Sequence, residues 1–441
     1  MFKSRFVIVL SLLLLPTLAQ AGPKEDLYVG CMQCDLAKAE AAIADGADPK
    51  GLHPSGQNML SLAFFCPEVT KLLLEKGVSP DAGNYPALIS ASNNYSTETM
   101  TLLLEAGADP NKASGTGVSP IFQVVQQTNC VPCLKLLLDK GVDANVKNAQ
   151  GATPLHVLMN FGMDAAGRKE AFKSGAKVMR DNYGLKVPDY LFDLPADRNG
   201  SSLEMLQLLL DAGADVNLPT PEGYTPLIQA LRGGKVDLAL AIAKAGADPK
   251  VQPKVKLGGS KVVYDPLVAA AENGNLEIVT LLVEGGADLN YGSQSATVTA
   301  FDGVTGGEGY TPLILAIRSG KADIARYLIE KGAALDQGVK GFTLLENKNK
   351  NMKCLASVKN KLPIYFAIEA GDLELVTLIA DRTDAGLFSP EYTIQQWGGS
   401  GGKGSDTYTV CSFARKKIKP SQWAEMMEWD EARTLLEEKG L

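Results

Sequence analysis

Apolar positions in this chain come in short bursts, not long stripes. Leu72-Leu73-Leu74, Leu102-Leu103-Leu104, Leu136-Leu137-Leu138, Leu208-Leu209-Leu210 and Leu281-Leu282-Val283 are each followed three residues later by a glycine. That glycine opens a polar phrase, Gly-Ala-Asp, at 46–48, 107–109, 213–215, 246–248 and 286–288, with variants at 77–79, 141–143 and 332–334. A second phrase opens the next apolar burst: Ser119-Pro120-Ile121, Thr153-Pro154-Leu155, Thr225-Pro226-Leu227 and Thr311-Pro312-Leu313.

Each phrase has a helical reading. In Thr225-Pro226-Leu227, Thr caps a helix whose first turn tolerates Pro, because that N–H has no intrahelical acceptor. A short helix over 227–231 follows, Gly233-Gly234 turns the chain, and Val236–Lys244 makes a second helix with Leu238, Leu240 and Ile242 mostly inward. Gly246 then takes the left-handed conformation that ends a helix, and Asp248 starts the next turn. One such pair is too small to bury its own apolar face, so pairs must stack.

The markers Gly46, Gly77, Gly107 and Gly141 are spaced by 31, 30 and 34 residues. With Thr153-Pro154-Leu155-His156 and the repeated Leu-Leu-x-x-Gly-Ala-Asp ending, the chain resembles the ankyrin-repeat family, whose period is roughly 33. The resemblance runs from about residue 26 to 441 and has an exported, bacterial flavour. It implies an all-α solenoid of about ten helix pairs joined by β-hairpin fingers. The pairs fall near 26–48, 59–80, 86–110, 119–145, 153–217, 225–249, 265–290, 311–336, 362–384 and 409–441. Residues 22–441 are expected to form one array, with regular units to about 150 and an insertion near 160–200, where 165–182 could form an extra helix. Over 250–441 the fingers lengthen. Lys254–Tyr264 alternates around Gly-Gly and predicts a hairpin. The stretches 291–310, 337–361 and 385–408 are also elongated, and YTIQQW and DTYTVCSF read as two strands around a Gly-rich turn. The first and last units read as caps, the last ending in one charged helix over Ser421–Lys439.

Residues 1–21 stand apart. Lys3 and Arg5 precede an apolar run broken only by Ser11, and Ala19-Gln20-Ala21 is a small-residue cleavage site. This is the pattern of a secretory signal peptide. The expected location is the periplasm, with the extracellular space as the alternative, and no later segment reads as a membrane span. The formal net charge of −7 falls to −9 without Lys3 and Arg5. That argues against nucleic acid as the main partner, because phosphate neutralisation needs a basic surface.

Candidate chemistry is thin. There are two histidines. His156 sits in the Thr-Pro-Leu-His phrase and is expected to hydrogen-bond structurally; His53 is expected to be solvated in a finger. The run 398–405 resembles a phosphate-binding loop but fails its spacing, since Trp397 stands where the first Gly belongs and Gly404 follows Lys403. Cys130-Val131-Pro132-Cys133 has thioredoxin-like spacing at a helix start, but without a βαβ context. A zinc site from the two C-x-x-C pairs would need ligands from units three apart. No catalytic residue, cofactor or metal is expected, and the chain is not read as an enzyme. Export permits disulfides. Cys130–Cys133 are adjacent at a helix start, Cys354–Cys411 lie in neighbouring fingers, and Cys34–Cys66 fall at inter-helix turns. Cys31 takes a position that ankyrin first helices fill with Ala, and is expected to be buried and unpaired.

The resemblance implies protein recognition through finger tips and first-helix faces. The matching positions are Lys112, Ser114, Lys147, Asn148, Gln150, Glu222, Tyr224, Gln229 and Arg232. In the tall fingers Tyr264, Tyr291, Phe301, Tyr310, Phe342, Tyr392 and Trp397 are candidate aromatic anchors. A basic cluster, Lys340, Lys348, Lys350, Lys353, Lys359 and Lys361, carries only Glu346 in opposition, with Arg415, Lys416, Lys417 and Lys419 beyond it. It suits an acidic partner or anionic headgroups, the membrane surface being less favoured, or else it is a solvated loop. The expected function is a periplasmic scaffold binding another protein. The alternatives are a periplasmic immunity protein blocking a secreted antibacterial toxin, a thiol-disulfide protein using Cys130 and Cys133, and a secreted host-directed effector.

Overall fold

A computed structural model describes residues 22–160 except 95, 128 and 129, and 198–292 except 252–253, 258–259 and 264. It also describes 307–347, 352–383, 391–392, 416–417 and 419–441. The chain divides into two compact units, one ending at Asp215 and one starting at Val216.

Among the described residues the first unit holds five helix pairs: α1 (Pro23–Gln33) with α2 (Leu36–Ala44), α3 (Met59–Leu62) with α4 (Pro67–Glu75), α5 (Ala87–Asn93) with α6 (Thr97–Glu105), α7 (Pro120–Gln127) with α8 (Val131–Asp139), and α9 (Pro154–Asn160) with α10 (Arg198–Asp211). The second holds five more: α11 (Pro226–Arg232) with α12 (Val236–Lys244), α13 (Pro266–Asn273) with α14 (Leu276–Glu284), α15 (Pro312–Arg318) with α16 (Ala322–Glu330), α17 (Pro363–Ala370) with α18 (Leu373–Arg382), and α19 (Pro420–Met426) with α20 (Asp430–Glu438). Within each unit first helices pack on first helices and second on second, giving two helical layers. The core lies between successive pairs. The middle residue of each apolar triplet, Leu73, Leu103, Leu137, Leu209 and Leu282, is buried.

The local rules hold residue by residue. Thr225 and Thr311 accept hydrogen bonds from the Ile228 and Ile314 amides, and Asp265 does the same for Val268. Gly46, Gly107, Gly213, Gly246 and Gly286 all have φ between 82° and 98°, the region a side chain disfavours. Asp48, Asp109, Asp143, Asp248 and Asp288 each accept from the amide two residues on, closing the turn into the finger. Asn217 ties successive turns, donating to the Gly246 carbonyl and accepting from the Asp248 amide.

The second unit carries the strands. β1 (Lys254–Leu257) pairs antiparallel with β2 (Ser260–Val263), the predicted hairpin. β3 (Gly307–Glu308), β4 (Val339–Asn347) and β5 (Met352–Lys361) form one sheet in that order, with an irregularity between Val339 and Gly341. β6 (Glu391–Tyr392) pairs with β7 (Lys416–Lys417). The remainder of YTIQQW and DTYTVCSF lies outside the described residues, as do the signal segment and the insertion at 161–197.

One expectation fails. The C-terminal stretch is not a single helix. Glu428 adopts φ 57° and divides it into α19 and α20, so the last unit is a helix pair like the others. Trp423 and Leu436, buried at 1% and 0% exposure, anchor its two halves.

Candidate partner-binding face

The first helices of the second unit share a positional pattern. Two residues before the first-turn proline stand Tyr224, Tyr264, Tyr310 and Lys361; six after it stand Arg232, Glu272, Arg318 and Glu369. In the α11 pair the Arg232 guanidinium lies 4.8 Å from the centre of the Tyr224 ring. In the α15 pair Arg318 lies 5.4 Å from the Tyr310 ring. In the α17 pair the Tyr and Arg are replaced together. Lys361 Nζ meets Glu369 Oε1 at 2.5 Å and lies over Phe366 at 4.3 Å and Trp423 at 5.5 Å. The same two positions therefore carry either a cation on an aromatic ring or a hydrogen-bonded ion pair.

Electrostatics on this face are shaped by partial burial. Lys361 is buried at 3% exposure. Burial pulls its ammonium below the ordinary lysine range, Glu369 opposes that, and Arg318 adds to it. Glu272 is pushed up by burial, against a smaller opposing pull from Arg318.

Several predicted positions fall as expected on the surface. Lys112, Lys147, Gln150, Glu222 and Arg232 are exposed; Asn148, Tyr224, Gln229 and Tyr291 are partly so. Others need correction. Tyr310 is not an exposed anchor. It is 8% exposed and packs 6.4 Å from Phe366, beneath Arg318. Ser114 is buried and bonded within its own finger, to Thr116 and the Val118 amide. Lys361 is not a solvated loop lysine. His53 is half-buried, its ring 4.8 Å from that of Tyr28 and its Nδ1 2.7 Å from Ser55 Oγ. Burial and the Lys24 charge lower its pKa.

Lys353 lies on β5 directly opposite Glu346, the lone carboxylate of that finger, and Phe342 lies opposite Ser357. Tyr392 is in β6. Tyr264, Phe301, Lys348, Lys350 and Trp397 lie outside the described residues.

His156 is fully buried, and its Nδ1 lies 2.8 Å from Thr153 Oγ1 and 3.2 Å from the Thr153 amide. It locks the helix start and is not available for catalysis. The structure brings Cys34 close to Cys66 and Cys130 close to Cys133, with Cα separations of 5.3 and 5.1 Å, within reach of a disulfide. Cys31 is unpaired and buried. Cys354 lies on β5 opposite Leu345; Cys411, and so the Cys354–Cys411 pairing, is outside the described residues. Among the described residues no cluster of His, Cys, Asp and Glu could hold a metal ion. No described helix is long and apolar enough to cross a membrane.

Residues 89–174 and 254–338 match a family model described as ankyrin repeats in three copies. Over those stretches the helix pairs match ankyrin repeats. The chain is 34% identical over 111 residues to the ankyrin repeat protein nuc-2 of Neurospora crassa, covering 25% of this chain and 9% of that one. It is 39% identical over 87 residues to ankyrin repeat and SOCS box protein 5 of Oryctolagus cuniculus, covering 20% and 24%. It thus spans a quarter or less of the length of these relatives, both eukaryotic. The crystal structure of the ankyrin repeat domain of Bcl-3, described as a unique member of the IkappaB protein family, covers 60% of this chain and all of its own length. The two share 21% identity at a TM-score of 0.43. Ankyrin repeats generally mediate protein–protein binding.

The sequence reading found Tyr224, Gln229 and Arg232, and named Lys361 only as one lysine of a basic finger; it missed Glu272, Arg318, Glu369, Phe366 and Trp423. Spacing from the first-turn proline was the available signal: aligning the repeats on Pro226, Pro266, Pro312 and Pro363 brings Lys361, Glu272, Arg318 and Glu369 into two columns.

Proposed function

We propose that this chain is an exported ankyrin scaffold that binds another protein through the first-helix face of its second unit. The observation that carries the reading is the row of charged and aromatic side chains at equivalent positions from Tyr224 and Arg232 to Lys361 and Glu369. Tyr310 and Lys361 also tie successive repeats together, while Arg232 is exposed and Tyr224 partly so, leaving that end of the row open to a partner. Partly desolvated charges and aromatics at a rigid surface are what interface hot spots are made of. Export to the periplasm is part of the proposal and rests on the pattern of residues 1–21. The fingers of the second unit that carry Tyr264, Lys348, Lys350, Lys353 and Trp397 would frame the contact.

The thiol-disulfide alternative fares worse. Cys130 and Cys133 are 5% and 0% exposed, and exchange requires a thiolate to reach a sulfur. The pair also lies beside Thr97, whose Oγ1 is 3.9 and 3.7 Å from the two sulfurs, a packed setting rather than an open one.

The test is cross-linking capture from periplasmic extract with wild-type protein, Arg232→Glu and Lys112→Glu. Arg232→Glu should lose the captured protein while Lys112→Glu, in the first unit, retains it. Equal capture by all three would reject this face.

A further inference from the structure

Of the two close cysteine pairs, one reaches the surface. Cys130 and Cys133 are 5% and 0% exposed. In the other pair Cys34 is exposed, Cys66 is 0% exposed, and their Cα atoms are 5.3 Å apart. A thiolate that approaches a Cys34–Cys66 bond from solvent therefore meets one sulfur, that of Cys34.

The helices give this bond the same polarity. Cys34 is the C-cap of the 11-residue α1, and Cys66 is the N-cap of the 9-residue α4. Negative charge is disfavoured at the first place and favoured at the second. A thiol at a helix N-terminus has the lower pKa and leaves faster. Glu68, in the same first turn, is exposed and screened by solvent. In α8 the N-cap sulfur, Cys130, already accepts the Cys133 amide. Cys66 makes no such side-chain bond, which leaves the first-turn amides of α4 to the departing thiolate. Once protonated, that sulfur has the Cys31 carbonyl 3.5 Å away as an acceptor. Cys31 itself does not compete as a nucleophile. Burial pushes its thiol up to about 12, so it supplies little thiolate. The attacking thiol has to come from outside.

We propose that Cys34 is a mixed-disulfide site for an external thiol, from a small molecule or a partner protein, with Cys66 as the leaving sulfur. The incoming R–S⁻ forms a bond to Cys34 Sγ as the Cys34–Cys66 bond breaks. The electron pair leaves on Cys66, which takes up a proton equal to the one R–SH released. The incoming thiol is oxidised to the mixed disulfide and Cys66 is reduced to a thiol, with no other oxidant or reductant. Attack by Cys66 on the new bond reverses the step, so the chain holds its own release thiol. While the adduct lasts, the covalent tie between the first two helix pairs is open. The inference is independent of the protein-binding face of the second unit.

The probe is reduced glutathione, added under argon to the whole oxidised chain, with acid quenching at intervals and peptide mapping. Wild type should carry glutathione on Cys34 and a free thiol at Cys66 while Cys130–Cys133 is still intact. Glutathione on Cys66, no adduct before Cys130–Cys133 opens, or Cys34 and Cys66 unbonded at the start would overturn the site. A second arm exports Cys66→Ser, which lacks the release thiol and should retain whatever attaches. A protein-sized adduct on Cys34, lost on reduction, identifies a protein thiol as the source; an adduct of small-thiol mass identifies a small one. Cys34 recovered wholly as free thiol would also overturn the proposal. If Cys66→Ser does not accumulate, the wild-type reaction with glutathione decides alone.

Discussion

Cys34 shows how one residue reveals its purpose by its backbone. It ends α1 at φ 55°, where α13 and α17 end in Gly274 and Gly371 at φ 83° and 70°. A side chain in that region costs roughly 1 kcal/mol or more, so its sulfur must justify it. A bond to Cys66, 32 residues away in the chain, would join the first two helix pairs. On the chain-entropy account such a loop contributes on the order of 3–4 kcal/mol. Cys34→Gly and Cys34→Ala should both lose this, but Cys34→Gly should melt higher because it suits the backbone. Equal melting would mean the conformation relaxes without the bond. Cys31 makes a different kind of test. Burial pushes its thiol from 9.0 to about 12, so the fold favours the neutral form. Its contribution is full below about pH 9 and is lost as pH rises towards about 12, because there the unfolded chain gains by ionising and the folded chain does not. In denaturant titrations the stability gap between wild type and Cys31→Ala should be constant below pH 9 and shrink above it. Tyr85, also raised by burial, acts alike in both proteins and cancels from the difference. A gap independent of pH would show that the thiol is hydrated.

At the scale of elements, what was legible depends on how far away the cause lies. Helix starts and stops have local causes. Thr225 caps Pro226–Arg232, and Gly246 turns left-handed two residues after Lys244, so this helix pair could be read from sequence alone. The fate of Lys361 has distant causes. It sits in a lysine-rich finger, yet Glu369 lies near the far end of the next helix and Trp423 comes from the following pair. Nothing in the local pattern marks that burial; the repeat column does. Tyr310 was misread in the same way, since Phe366, which packs against it, arrives from the next repeat. The break at Glu428 was missed because no glycine announces it. The Lys361–Glu369 pair joins the foot of β5 to α17, and its two halves should respond unequally. Glu369→Gln leaves a buried ammonium without its counter-charge and should cost about 3–5 kcal/mol. Lys361→Met keeps an apolar stem over Phe366 and Trp423, leaves Glu369 free to meet water, and should cost far less. Thermal melting of the two variants decides it; similar losses would mean that the ion pair contributes little beyond packing.

For the whole molecule, acidity and recognition are distributed differently. The chain is acidic overall, while its proposed contact row mixes signs and one finger concentrates lysines. Reversing Lys348, Lys350 and Lys353 together should weaken partner capture without changing helical content or melting; unchanged capture would mark these as solvated loop lysines. Export brings the last test, and the argument starts at α1. Cleavage after Ala21 would place a new α-amino group on Gly22, the N-cap of α1. A cation there opposes the helix dipole by a few tenths to about 1 kcal/mol. Glu25 and Asp26 occupy the first turn and supply the opposite charge, and Pro23 needs no N–H acceptor there. The first helix is thus suited to begin one residue after the scissile bond. N-terminal sequencing of protein from a periplasmic fraction should start Gly-Pro-Lys-Glu, with Cys34–Cys66 resistant to alkylation until reduced. Recovery of an intact N-terminus from the cytosol, with these cysteines freely alkylated, would remove both the signal peptide and the oxidising compartment from the account.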